Sequence, residues 1–348
     1  MQQHNFSPGP AILPPSVFQA LAAGILNYQD SGLSIAEISH RSPAFLAVIE
    51  EATHLVRELY QVPSEWEVLW LPGGASSQLS TAPMNLVNPE DTIAIVDTGY
   101  WSEKAYDAAS AYCHVHRTDP EHLDIPTHAR YLHVVSNETI DGIQWSDFPD
   151  VQIPLVADMT SDFLSRPVPF EKFALIFASA QKNFGIAGIT CVLVNPKYMP
   201  DSSSKIPAPK IFNYKTHIEE QSLYHTLPTV PVYAALLMLR WVKEHGGVRK
   251  MYERAQQKAA LIYQEIDRNP LFQGLAPLKK RSLANACFHG IDQEIDQQFL
   301  TFAEARGIYG IKGFPTLGGF RASMYNGMPI ESVHYLVETM QQFTAQAL

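Results

Sequence analysis

Leu175-Ile176-Phe177-Ala178-Ser179-Ala180-Gln181-Lys182-Asn183 runs from a continuous apolar segment into an amide, an amine and a second amide. The apolar part reads as a buried strand, and Lys182 stands just past its carboxyl end. A helical spacing of Phe45, Ile49, Ala52, Val56 and Leu59 is followed by an alternation of strand and helix patterns, with similar apolar runs at 68–71, 92–96, 131–135, 153–157 and 190–194. This alternation predicts an α/β fold built on a mostly parallel sheet. Ligands of such sheets gather outside the carboxyl ends of the strands. Four strand tips therefore converge on one crevice: Gly73-Gly74-Ala75-Ser76, Gly99-Tyr100-Trp101, Ala157-Asp158 and Gln181-Lys182-Asn183.

Together these tips supply what pyridoxal 5'-phosphate requires. A desolvated lysine loses its proton near neutral pH and forms a Schiff base with the cofactor aldehyde, a role that suits Lys182. A carboxylate against the pyridine nitrogen keeps the ring protonated and electron-withdrawing, which suits Asp158. The indole of Trp101 offers a flat apolar face to stack on that ring. Gly74, Ala75 and Ser76 precede a helix-like stretch at 77–86, and a helix N-terminus with small residues lets backbone N–H groups approach a phosphate.

Composition narrows the alternatives. With 348 residues, 46% of them hydrophobic, the chain has enough apolar material for a buried core, in two domains or one large domain with an appendage. The net charge of −10 and the absence of a Lys/Arg tract argue against nucleic acid or an anionic membrane as a partner. Cys113, Cys191 and Cys287 are widely spaced, so neither a disulfide framework nor a metal site is expected, and a cytoplasmic setting follows. The N-terminal residues lack a secretion signal, and no 18-residue apolar run occurs. An extended arm is expected over 1–15, a large cofactor-binding domain over 16–245, and a smaller C-terminal α+β domain over 246–348. The Pro- and Ser-rich stretch 200–209 interrupts the alternation ahead of a helix at 233–245.

The chain resembles the phosphoserine aminotransferase family of class-V, fold-type I pyridoxal phosphate enzymes. The likeness runs through Asn5-Phe6-Ser7-Pro8-Gly9-Pro10, Ile38-Ser39-His40-Arg41, Thr98-Gly99-Tyr100-Trp101, Asn137-Glu138-Thr139-Ile140-Asp141-Gly142, Ser165-Arg166-Pro167, Gln181-Lys182-Asn183 and Gly318-Gly319-Phe320-Arg321-Ala322-Ser323. It implies a large domain with a seven-stranded sheet flanked by helices, transamination of phosphoserine with 2-oxoglutarate in serine biosynthesis, and a homodimer with shared active sites. It further implies that Lys182 carries the Schiff base, Asp158 meets the pyridine nitrogen, Trp101 stacks, Thr139 bonds the phenolic oxygen and Gln181 contacts the phosphate. Arg321 matches the arginine that grips the substrate α-carboxylate.

The departures from that family concern anion binding. The neighbouring-subunit Asn-Thr pair stands here as His225-Thr226, in which an imidazole can still donate one hydrogen bond to phosphate. Arg41 is retained for the distal anion, but the family's His-Arg pair after Lys-Gly is replaced by Phe314-Pro315, and Leu283 stands where a further arginine is common. Each lost charge-assisted bond is worth roughly 1.5–3 kcal/mol, so a lost pair weakens dianion recognition by about two to four decades. Lys312 and His40 are the nearby groups that could compensate. Three readings result: phosphoserine transamination, the same chemistry on a less anionic amino acid, or a cofactor-binding structural dimer with little turnover.

Overall fold

The computed structural model describes residues 3–200 and 208–347; residues 1–2, 201–207 and 348, and with them most of the Pro- and Ser-rich stretch, lie outside it. Seven strands form the central sheet: β1 (Glu67–Pro72), β2 (Thr92–Val96), β3 (His114–Thr118), β4 (Leu132–Val135), β5 (Leu155–Asp158), β6 (Phe173–Ser179) and β7 (Ile189–Val194). Their spatial order is β1-β7-β6-β5-β4-β2-β3, and β7 alone runs antiparallel to its neighbours. The mostly parallel sheet expected from the strand and helix alternation is therefore present.

Helices cover both faces, which is why the central strands read as unbroken apolar runs. Trp70, Val134, Ala157 and Ile176 face a core shared with α1 (Pro15–Leu26), α2 (Pro43–Tyr60) and α6 (Thr229–Glu244). Leu69, Ile95, Val156 and Phe177, on alternate positions, face α3 (Ala75–Leu86), α4 (Tyr100–Ala109) and α5 (Tyr214–Glu219). Strand β3 was not expected. It is an edge strand, mostly exposed or half-exposed, so His114, His116 and Arg117 are tolerated and no apolar run announces it.

A second body of structure follows. Helices α7 (Gly247–Arg268), α8 (Gln293–Ala305) and α9 (Ile330–Ala347) pack with an antiparallel sheet of β8 (Phe272–Gly274), β9 (Asn285–Gly290) and β10 (Phe320–Ser323). Its core is a phenylalanine cluster of Phe272, Phe288, Phe299, Phe320 and Phe343. Only Phe299 and Ala303 of α8 are buried, too sparse a stripe to mark that helix in advance. The N-terminal arm joins this body: His4–Asn5 pairs in parallel with Ile308–Tyr309, and Phe6 is fully buried in the phenylalanine core.

Candidate active site

The carboxyl ends of the parallel strands open onto a cavity of about 470 Å³, within the range of sites for cofactor-sized ligands. Gly74, Ala75, Ser76, Trp101, Thr139, Asp158, Gln181, Lys182 and Arg321 all line it, and Pro8, Gly9 and Pro10 of the arm form part of its wall. The arm is tied down by the Ala11 N–H, which donates to the Gln181 carbonyl at 2.9 Å.

The first tip turns from β1 through Gly73, whose φ of +100° falls in a region that disfavours a side chain, into Gly74, the N-cap of α3. The helix starts at Ala75, two residues earlier than the pattern at 77–86 suggested, so Ala75 and Ser76 form its first turn rather than precede it. Their N–H groups lack helical partners and lie at the positive end of the helix dipole.

Trp101 is fixed at the second tip. Its Nε1–H donates to Thr139 Oγ1 at 3.2 Å, its backbone N–H donates to Glu138 Oε2 at 3.2 Å, and Glu138 Oε1 accepts from the Ser102 N–H at 3.0 Å. Gly99 precedes it with φ +145°, where a side chain is strained, and a Cβ there would lie 2.6 Å from Asp141 Oδ2, so a larger residue would displace the Asp141 carboxylate. Burial pushes the Glu138 carboxyl up to about 7, although the α4 N–H groups oppose that shift.

Asp158 ends β5 and is buried; burial raises its pKa while hydrogen bonds from Thr160 and the Lys182 charge pull it back. Its Oδ1 accepts the Thr160 N–H at 2.9 Å. The Lys182 Nζ sits 5.5 Å over the Trp101 ring, and burial lowers its pKa to about 8 despite Asp158. Arg321, on β10, reaches over from the second body. Its Nη1 donates to the Thr139 carbonyl at 3.3 Å, while the buried Nε has no partner. The guanidinium edge made by Nε and Nη2 is thus left for a ligand.

These residues fit pyridoxal phosphate: a desolvated amine, a buried carboxyl, an indole face and a helix N-terminus share one cavity. Thr139 Oγ1, having accepted from Trp101, retains a donor proton. Gln181 Oε1 accepts from the Ser179 hydroxyl, orienting its amide at the same wall. Phe314 also lines the cavity and packs against Tyr100 with ring centroids 5.4 Å apart.

Four residues singled out from sequence are not brought to this cavity. Arg41 is exposed and donates from Nη2 to the Leu223 carbonyl at 3.3 Å; His40, whose pKa is lowered by burial, Arg41 and His225, lies beside it. His225 stands 5.9 Å from His217 between ring centroids, and Thr226 is exposed. His40 Nε2 and His225 Nδ1 are both buried without partners. Arg166, within a segment that carried the family resemblance, is structural: it donates to the Ser146 carbonyl at 2.6 Å and lies 3.8 Å from Asp162. Conversely, Asn137, Thr160 and Ser179 line the cavity without having been assigned a role; only their place at strand tips beside Asp158 and Lys182 could have marked them.

The class-V aminotransferase family model matches residues 3–336. The phosphoserine aminotransferases of Bacteroides fragilis and Flavobacterium psychrophilum are each 42% identical to this chain, covering 99% and 98% of it and 99% of each relative. The phosphoserine aminotransferase structure from Bacillus circulans subsp. alkalophilus has a TM-score of 0.95 at 35% identity, over 100% of this chain and 99% of that one. The PLP-bound phosphoserine aminotransferase from Trichomonas vaginalis has a TM-score of 0.92 at 35% identity, over 98% and 100%. With a family model spanning nearly its whole length and relatives this similar end to end, the chain belongs to the class-V aminotransferases.

Proposed function

We propose that this chain is a pyridoxal-phosphate-dependent aminotransferase that exchanges the amino group of phosphoserine with 2-oxoglutarate. The observation that carries the chemistry is Lys182: a buried amine with its pKa brought to about 8, over the Trp101 ring, in a cavity that also holds Asp158 and the open edge of Arg321. Pyridoxal phosphate supplies the electron sink that makes the amino acid Cα–H acidic.

The chain supplies the rest. With the cofactor bound, Asp158 would meet the ring nitrogen and hold its proton, Trp101 would cover a ring face and exclude water, and Thr139 would donate to the phenolic oxygen. The first turn of α3 and Gln181 would hold its phosphate. Arg321 presents Nε and Nη2 as a fork for the substrate α-carboxylate, orienting Cα toward Lys182. The Lys182 Nζ, neutral in an appreciable fraction near pH 8, takes the Cα proton and returns it on the other side of the exchange.

Assembly and setting follow the same reading. His225 and Thr226 lie off the cavity, and His225 and His40 carry buried unpartnered nitrogens, which supports a homodimer in which this cluster and Arg41 serve the site of the partner subunit. The arm (1–15), large domain (16–245) and small domain (246–348) are the natural division, with the arm built into the small domain's core. Three unpaired buried cysteines accord with a cytoplasmic protein, and among the described residues no helix is long and apolar enough to cross a membrane.

One observation favours a second reading. Phe314, packed on Tyr100, gives the cavity an apolar wall where the family has cations, and a less anionic amino acid would suit it. The test is a half-reaction screen of the holoenzyme with phosphoserine, glutamate and neutral amino acids, followed by bleaching of the cofactor's visible absorbance. Fastest conversion by phosphoserine supports the first reading; fastest conversion by a neutral amino acid replaces it with the second; none by any amino acid removes both.

A further inference from the structure

Lys258 on α7 is 3% exposed and lies outside the catalytic cavity. Its Nζ donates to three carbonyls: Met324 at 2.8 Å, Tyr325 at 2.7 Å and Met328 at 3.2 Å. An ammonium has three N–H donors and no acceptor, so the charged form satisfies every group it meets. A neutral amine would bring two donors and a lone pair to three carbonyl oxygens.

The clamped segment, 324–328, leaves β10 three residues after Arg321 and crosses to the loop that carries Lys182. The Asn326 N–H donates to Asn183 Oδ1 at 3.0 Å, and Asn326 Nδ2 donates to the Leu164 carbonyl at 3.1 Å. The Tyr325 hydroxyl donates to the Pro8 carbonyl at 2.9 Å, tying the segment to the arm that walls the cavity. A Cβ on Gly327 would lie 2.4 Å from the Ile12 carbonyl oxygen, so arm and segment touch closely.

We propose that Lys258, as its ammonium, is a positioning residue of the transamination site: by gripping 324–328 it sets Arg321 relative to Lys182, and losing its proton weakens the site's hold on carboxylate. This rests on the reading of Arg321 as the carboxylate fork. Among the described residues, the charged groups lining the cavity of about 430 Å³ beside Lys258 are Arg254, one turn earlier on α7, and Glu331 of α9; Pro15 and Ser16 of α1 and Trp241 of α6 bring no charge to it. Burial and Arg254 together bring the Lys258 amine down to about 7.

The test is the affinity of the holoenzyme for 2-oxoglutarate, which carries the α-carboxylate but no amine to exchange, measured between about pH 6 and 9. The unmodified protein should bind about tenfold more weakly at the alkaline end, and Lys258→Met should bind weakly throughout with a flattened profile. Lys182 remains in place in that variant, so a limb that persists in it overturns the proposal. Failure of 2-oxoglutarate to bind the unmodified holoenzyme at any pH would instead remove the Arg321 reading on which it stands. Should Lys258→Met not fold, amide exchange in the unmodified holoenzyme decides: protection of Met324 and Met328 corrected for intrinsic rate should fall over the same pH range, and constant protection overturns the proposal.

Discussion

The backbone N–H of Trp101 is held by the buried carboxylate of Glu138, so the indole over Lys182 is positioned by a group that titrates near neutrality. Glu138 departs upward from 4.5 to about 7, so the folded chain binds more protons than the unfolded chain in that window. Its ionisation therefore costs stability as pH rises through the window, even though the ionised form holds Trp101 best. Glu138→Gln should flatten the dependence of Tm on pH between 4.5 and about 7 and weaken the circular dichroism of the bound cofactor at pH 8. A variant with the same Tm profile and an unchanged cofactor signal would show that Glu138 does not hold Trp101 in place.

Lys182 has the opposite linkage. Its pKa falls from 10.5 to about 8 on folding, so between about 8 and 10.5 the unfolded chain binds the extra proton; the buried amine costs stability in full below about 8, and that cost is relieved as pH rises to 10.5. Lys182→Ala should abolish turnover and the cofactor's characteristic absorbance, while the apo-protein loses the rise in stability that the wild type shows between about pH 8 and 10.5. Thermal unfolding of both apo-proteins across that range checks the physical half of the prediction independently of activity.

Arg321 is anchored through Nη1 to the Thr139 carbonyl, which leaves its other edge free. Arg321→Lys keeps the charge but loses the two-pronged geometry, at a cost of about one charge-assisted bond. KM for both the amino acid and the oxo acid should rise roughly 10–100-fold, with a smaller fall in kcat. A rise confined to one of the two substrates would show that Arg321 does not bind the carboxylate they share.

The sheet and the strand tips were legible because central strands, covered on both faces, are apolar runs with a chemistry-bearing residue at or just past their end, such as Asp158 or Lys182. Strand β3 was not, because an edge tolerates His114 and Arg117. Contacts across long stretches of sequence leave no local pattern: nothing around Phe6 says that it fills the core of Phe288 and Phe320, and nothing around Lys258 says that it clamps the segment after Arg321. His40, Arg41, His225 and Thr226 were singled out by likeness to a family, and a single chain does not bring them to its own cavity.

Phe314-Pro315 offers the sharpest test of substrate. Phe314 accepts the Leu317 and Gly318 N–H groups at its carbonyl, at 3.0 and 2.9 Å, so the turn is held by backbone atoms that a substitution keeps. Pro315 donates no hydrogen bond, and replacing it removes none. Placing His-Arg at these positions removes the ring packed on Tyr100 and adds a guanidinium and an imidazole beside the cavity. If missing cations limit recognition of a dianion, kcat/KM for phosphoserine should rise about 10–100-fold while that for a neutral amino acid falls. If neither changes in a folded variant, the distal anion is held elsewhere, and Arg41 becomes the next group to substitute.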